Sequence, residues 1–194
     1  MKKILFALWM GLSAIAVTSC KDSDKDPLPA TESVPNVTTA NATPTFTQAN
    51  ARNTAANPAI SFVVSVTGSN VDKVEAVEVY KTFRNIVRNA QGQLAIQTLP
   101  RVLVRSIPPS QTTIEITLND LVANLQRRGT ASGAAFDAPL TPLTRSSLAT
   151  QESFLFTYEL LMKDGRRVVL TPISGGVVTG TQTAAPFAAI VTIN

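Results

Sequence analysis

Ser153-Phe154-Leu155-Phe156-Thr157-Tyr158-Glu159-Leu160-Leu161-Met162-Lys163-Asp164-Gly165-Arg166-Arg167-Val168-Val169-Leu170 is the stretch that decides the fold class. Phe154, Phe156, Tyr158, Leu160 and Met162 recur at every second position, which sets them on one face of a strand. Asp164-Gly165 fits a two-residue type I′ turn, where glycine tolerates positive φ. Arg166 to Leu170 then descends as the partner strand. The stretch predicts a β-hairpin with Tyr158 on its apolar, core-facing side.

The same period of two extends outward in both directions. Ile60, Phe62, Val64 and Val66 share a face, and Gly68-Ser69-Asn70 turns the chain. A strand over about 74–87 places Val77, Val79, Phe83 and Val87 on one side and Glu78, Tyr80, Thr82, Arg84, Ile86 and Arg88 on the other. After a turn at 89–92, a returning strand over 93–107 is interrupted by Pro100. In it Val102 and Val104 face opposite Arg101, Leu103 and Arg105. Pro108-Pro109-Ser110 breaks that strand, and Ile114, Ile116 and Leu118 alternate in the next. One helix is predicted from Leu118, Leu121, Val122 and Leu125, capped by Thr117 or Asn119, with Arg127 and Arg128 at its carboxyl end and Gly129 after it. Residues 130–150 read as a long loop, and Phe187, Ala189, Val191 and Ile193 mark a closing strand. About seven strands and one helix predict an all-β protein, an immunoglobulin-like antiparallel β-sandwich. A small β-barrel is the alternative that periodicity does not separate.

Composition bounds the chemistry. The chain has 194 residues, no histidine and one cysteine, which excludes an internal disulfide, a His-based triad and a His/Cys metal cluster. At 44% hydrophobic and 15% charged it is too apolar to be disordered throughout. Glu78, Glu115, Asp120, Asp137, Glu152, Glu159 and Asp164 are scattered over expected outward faces and turns, with no spacing that forces two to converge. Gly175 to Gly180 lacks the lysine and following helix of a phosphate loop. A non-catalytic protein without metal or cofactor is expected.

The amino terminus reads as an address. Lys2 and Lys3 precede an uncharged stretch from Ile4 to Val17, about 21 Å of helix against the ~30 Å of a bilayer core. A signal peptide fits better than a spanning helix. Val17-Thr18-Ser19-Cys20 resembles the lipobox of bacterial lipoproteins, which implies cleavage before Cys20 and acylation of its thiol; an ordinary secretory signal is the alternative. Acyl chains on Cys20 would tether the protein to a membrane without spanning it. The chain carries 17 basic and 13 acidic residues, and loss of Lys2 and Lys3 leaves 15 − 13 = +2. On an exported protein this balance does not point to nucleic acid. Lys21 to Asp26 resembles the acidic export signal of Bacteroidetes-type surface lipoproteins, or serves as a solvated spacer.

The expected organisation is a signal peptide over 1–19, a lipidated Cys20 with a Thr/Ala/Asn/Pro-rich stalk over 20–57, and a β-sandwich over 58–194. Residues 21–44 are expected to be flexible, with Thr45-Phe46-Thr47 a candidate edge strand. The glycosylation-like Asn36-Val37-Thr38 and Asn41-Ala42-Thr43 read as coincidence in this context.

One surface feature stands out. Arg84 and Arg88 share a strand face, as do Arg101 and Arg105. If those strands pair across the turn, four guanidinium groups gather beside Tyr80, a patch for an acidic partner or anionic glycan. The alternative is a solvated sheet face blunted by charge. Flat aromatic platforms for sugars are sparse, since the only Trp is Trp9 and there are two Tyr.

The lipobox, Ile60-Ser61-Phe62-Val63-Val64, Val77-Glu78-Val79-Tyr80, Ile116-Thr117-Leu118-Asn119-Asp120-Leu121 and Phe156 to Arg166 together resemble accessory lipoproteins of the SusC/SusD-type glycan-uptake machinery of Bacteroidetes. The resemblance implies an immunoglobulin-like module tethered at the outer membrane, near a transporter. The expected function is a non-catalytic binding or scaffolding module with an envelope protein as partner. Direct capture of an oligosaccharide or another small nutrient is the alternative.

Overall fold

The computed structural model describes residues 33–41, 44–170, 173–174, 177–178 and 189–194. Cys20, the signal segment, stalk residues 21–32 and 42–43, and Gly175-Gly176 lie outside these residues, as does Phe187.

Fifteen strands occur among the described residues: β1 Asn36–Ala40, β2 Thr45–Phe46, β3 Ala59–Thr67, β4 Val74–Arg88, β5 Leu94–Thr98, β6 Val102–Ile107, β7 Thr112–Thr117, β8 Gln126–Arg128, β9 Ala134–Ala135, β10 Leu140–Pro142, β11 Ser153–Met162, β12 Arg167–Val169, β13 Ile173–Ser174, β14 Val177–Val178 and β15 Ala189–Ile193. Two short helices accompany them, α1 Gln48–Arg52 and α2 Leu118–Val122. The small sheet runs β1-β3-β7. The large sheet runs β2-β15-β11-β4-β5, with β6 and β9 also on β4 and β12 on β11. Both sheets are open, so the fold is an all-β sandwich and not a closed barrel.

The two inner faces meet as the alternation predicts. Ile60, Phe62 and Val64 of β3 pack with Val77, Val79 and Phe83 of β4 and with Phe154, Phe156, Tyr158 and Leu160 of β11 in one core. Phe62 and Phe156 bridge the sheets with ring centroids 4.9 Å apart. Such tilted aromatic contacts add about 0.5–1.5 kcal/mol beyond their buried area. Tyr158 is buried, its hydroxyl bonds Thr39 Oγ1 at 3.0 Å, and burial pushes its pKa up to about 12.

Four local expectations are corrected. First, part of the expected stalk is folded. β1 pairs antiparallel with β3, Val37 is fully buried, and Val34–Asn194 forms one compact unit. Arg145 holds α1 and the segment after it by donating to the carbonyls of Asn50, Ala51, Asn53 and Ala56. That arginine falls in the expected 130–150 loop, which also carries β9, β10 and a 3-10 turn at Arg145–Ser147.

Second, α2 stops at Val122, with Thr117 as its N-cap. Arg127 and Arg128 therefore lie in β8 and not at a helix end. Third, the β11–β12 turn is not the two-residue form. Gly165 has φ +84°, but no positive φ occurs at Asp164. Gly165 N–H donates to Met162 O at 2.9 Å, and Met162 N–H to Arg166 O at 2.9 Å. This is a three-residue loop, a type I turn closed by a left-handed glycine. Fourth, Glu152 and Glu159 are buried rather than solvated.

Candidate functional site

β4 is the spine of the molecule, and its 15 residues carry or adjoin each feature that could act. Of the side chains the alternation assigns outward, Glu78, Tyr80, Arg84 and Arg88 reach the surface while Thr82 and Ile86 are buried, and the expected arginine cluster does not form. The turn after Arg88 brings back β5, so Arg84 and Arg88 stand opposite Thr98 and Leu94. β6 pairs with the other half of β4, beyond the break at Pro100. At ~3.3 Å per residue, Arg88, Arg84 and Tyr80 are strung out at intervals of about 13 Å.

Arg105 leaves this face altogether. Val79 is opposite Arg105 while Tyr80 is opposite Leu103, so Val104 is an extra residue in β6. A bulge of this kind re-aims the side chains beyond it. Arg105 consequently turns to the seam between the sheets, where its Nη2 lies 3.5 Å from Thr113 O on β7.

Tyr80 and Arg101 do come together. The Arg101 guanidinium lies 4.0 Å from the Tyr80 ring centre, and its Nη2 donates to Glu159 Oε1 at 2.5 Å. Sheet register explains this arrangement. Glu78 on β4 is directly opposite Glu159 on β11, and like charges in that position repel. Arg101 from one side and Arg167 of β12 from the other neutralise the pair. Arg167 contacts Glu159 Oε2 at 3.3 Å and both carboxylate oxygens of Glu78. The Tyr80 hydroxyl donates to Glu78 Oε2 at 2.7 Å. The Arg167 bonds hold the Glu78 carboxyl below its ordinary pKa of 4.5, while burial and then Glu78 raise Tyr80. Five side chains thus form an ionic lattice across the outer face of the large sheet.

Apolar side chains are exposed on the same sheet, Leu103 and Val169 at the lattice and Leu94 and Ile96 farther along β4, opposite Arg88 and Ile86. Leu94 and Ile96 of β5 are 59% and 53% exposed, and Leu103 and Val169 are each 49% exposed. β5 is an edge strand, and Leu94-Ala95-Ile96-Gln97-Thr98 contains neither charge nor proline. Natural edges normally carry such residues to block pairing with other chains.

A second feature lies in the seam between β6 and β7. A cavity of about 290 Å³ is lined by Lys81, Arg105, Glu115, Asp120 and Asn124 with aliphatic Val102, Val104 and Ile116. Lys81 is a charge at a core-facing position of β4, between Val79 and Phe83. It is 6% exposed, and its Nζ donates to Asp120 O and, at 2.8 Å, to Ala123 O, capping α2. Burial lowers its pKa.

Sequence reasoning leaves Glu159, Arg167 and Lys81 out of any site. Lys81 is legible as the break in Val77-x-Val79-x-Lys81-x-Phe83. The two others act only through cross-strand register, which a single sequence does not display. Phe136, 52% exposed beside Arg88, Asn89 and Asp137, is a further exposed aromatic that the sequence did not single out. Among the described residues no group of three His, Cys, Asp or Glu could hold a metal, and no helix is long and apolar enough to cross a membrane. No family model and no curated protein matches the chain.

Proposed function

We propose that this chain is a lipid-anchored, non-catalytic docking module of the cell envelope, accessory to an outer-membrane uptake complex. Its lipid tether is Cys20, and its docking surface is the β5 edge with the adjoining outer face. The uncharged, apolar β5 edge is the observation that carries the reading. An edge with exposed Leu94 and Ile96 invites strand pairing, and a protein partner covering it removes the hazard. About 20 Å along β4 from Ile96, Tyr80 and Arg101 are held rigid by the lattice, and both residue types are enriched where protein partners bind tightly. Little side-chain entropy is left to lose on docking.

Two measurements test this. Metabolic labelling with a tagged fatty acid reads the tether, and Cys20→Ser abolishes the label; unchanged label removes the lipoprotein reading. Photo-crosslinking in intact cells from position 96 reads the docking face, with Val34, 48% exposed just ahead of β1, as the control position. Adducts to one envelope protein from position 96 and none from position 34 are expected. Equal adducts from both positions contradict a specific face.

A further inference from the structure

We propose that the seam cavity between β6 and β7 binds a small zwitterion, an α-amino acid with an aliphatic side chain or a dipeptide of such residues. This site is distinct from the β5 docking face and does not depend on it. Its volume, about 290 Å³, is at the small end for ligand pockets, which start near ~300 Å³.

Charge defines the ligand class. Two cations, Lys81 and Arg105, and two anions, Glu115 and Asp120, line one cavity. Their sum, +2 − 2, is zero, so neither a polyanion nor a polyamine is favoured. Among the described residues none of these four forms an ion pair with another, although all border the same space. Opposite charges held apart around a cavity suit a ligand that carries both signs and spans them.

Each wall has a distinct part. An ammonium group has three N–H donors, and two of those on Lys81 end on Asp120 O and Ala123 O. The third has no acceptor among the described residues and is available to a carboxylate. Arg105, whose one hydrogen bond among the described residues is the long one to Thr113 O, supplies the fork that carboxylates prefer. Glu115 and the free oxygen of Asp120, whose Oδ2 accepts from Thr117 Oγ1 at 2.7 Å, receive the ligand's ammonium. Val102, Val104 and Ile116 offer an aliphatic wall to the side chain. The bulge at Val104 makes the site, because in unbroken register Arg105 would point to the opposite face.

Isothermal titration calorimetry on the full mature chain carrying Cys20→Ser tests the proposal. The probes are leucine, leucyl-leucine, 4-methylpentanoate (no ammonium) and 3-methylbutylamine (no carboxylate). One of the two zwitterions is expected to bind at least about tenfold more tightly than either single-charge analogue. Arg105→Gln and Glu115→Gln, both at exposed positions and compatible with folding, should each weaken it about tenfold, whereas Ile96→Lys should leave it unchanged. Absence of heat with both zwitterions, equal binding of a single-charge analogue, or full binding by both variants overturns the proposal. Loss of envelope crosslinks from position 96 with zwitterion binding intact would overturn the docking reading alone.

Discussion

The molecule holds two arginine–glutamate arrangements of opposite character. Arg127 and Glu152 pair at 2.9 Å with side chains 1% and 0% exposed. Asn85 donates to the same Glu152 oxygen at 3.2 Å and accepts from Arg128 N–H at 2.5 Å, while Ala149 N–H donates to Glu152 Oε2 at 2.9 Å. Arg127 also reaches Ser147 O. This knot ties β4, β8 and the 145–152 segment together out of water. The lattice on the outer face uses the same residue types but opens to water at Arg167, which is 51% exposed, above Glu159 at 5%. Burial makes the first arrangement architectural, and exposure makes the second a surface that a partner can meet.

The largest effect is expected at the knot. Glu152→Ala leaves Arg127 buried and uncompensated, and should cost about 3–5 kcal/mol in denaturant unfolding. A loss below about 1 kcal/mol would mean that water reaches the pair. Next comes Arg145→Ala, which deletes the donors holding the 50–56 segment. Charge-assisted bonds are worth ~1.5–3 kcal/mol, so a loss of about 2 kcal/mol is expected. Limited proteolysis should then cut between residues 48 and 57 while the wild type resists there.

Those two arginines also mark what a single sequence can and cannot reveal. The core is legible, because Phe154, Phe156, Tyr158, Val77 and Val79 repeat at the sheet period and all are buried. Val37 is not. It is an isolated apolar residue in a Thr- and Asn-rich stretch, and only the long-range pairing with β3 gives it a core to enter. Arg127 and Arg145 look like surface residues until their partners are known, and those partners are mostly backbone carbonyls, which carry no sequence signal. The docking face is half legible: Tyr80 and Arg101 do meet, but the bulge at Val104 removes Arg105, and no residue type at that position announces it.

At the outer lattice the effects should be smaller. Arg101→Ala should lower stability by about 1–2 kcal/mol, because it strips one charge-assisted bond from the buried Glu159 while Arg167 still bridges Glu78 and Glu159. A much larger loss would make the lattice architectural too and erase the contrast with the knot. Smallest is the acid limb. The Glu78 carboxyl is depressed below 4.5, so its contribution is complete above that pH and is lost as pH falls through the depressed value. Glu78→Gln should therefore flatten the fall of Tm in that acid range and leave the neutral range unchanged. An unaltered acid limb would show that the pairing with Arg167 adds nothing in solution.

Hydrogen exchange of the β5 peptide, residues 94–98, tests the docking face most directly when it is read on the isolated mature chain and on the lipidated protein in native envelopes. A docked edge predicts rapid exchange in isolation and clear protection in envelopes, with the knot peptides protected in both and Ile96→Lys abolishing the difference. Equal exchange of β5 in the two settings would contradict docking, because an edge covered by a partner strand cannot exchange as a free one does.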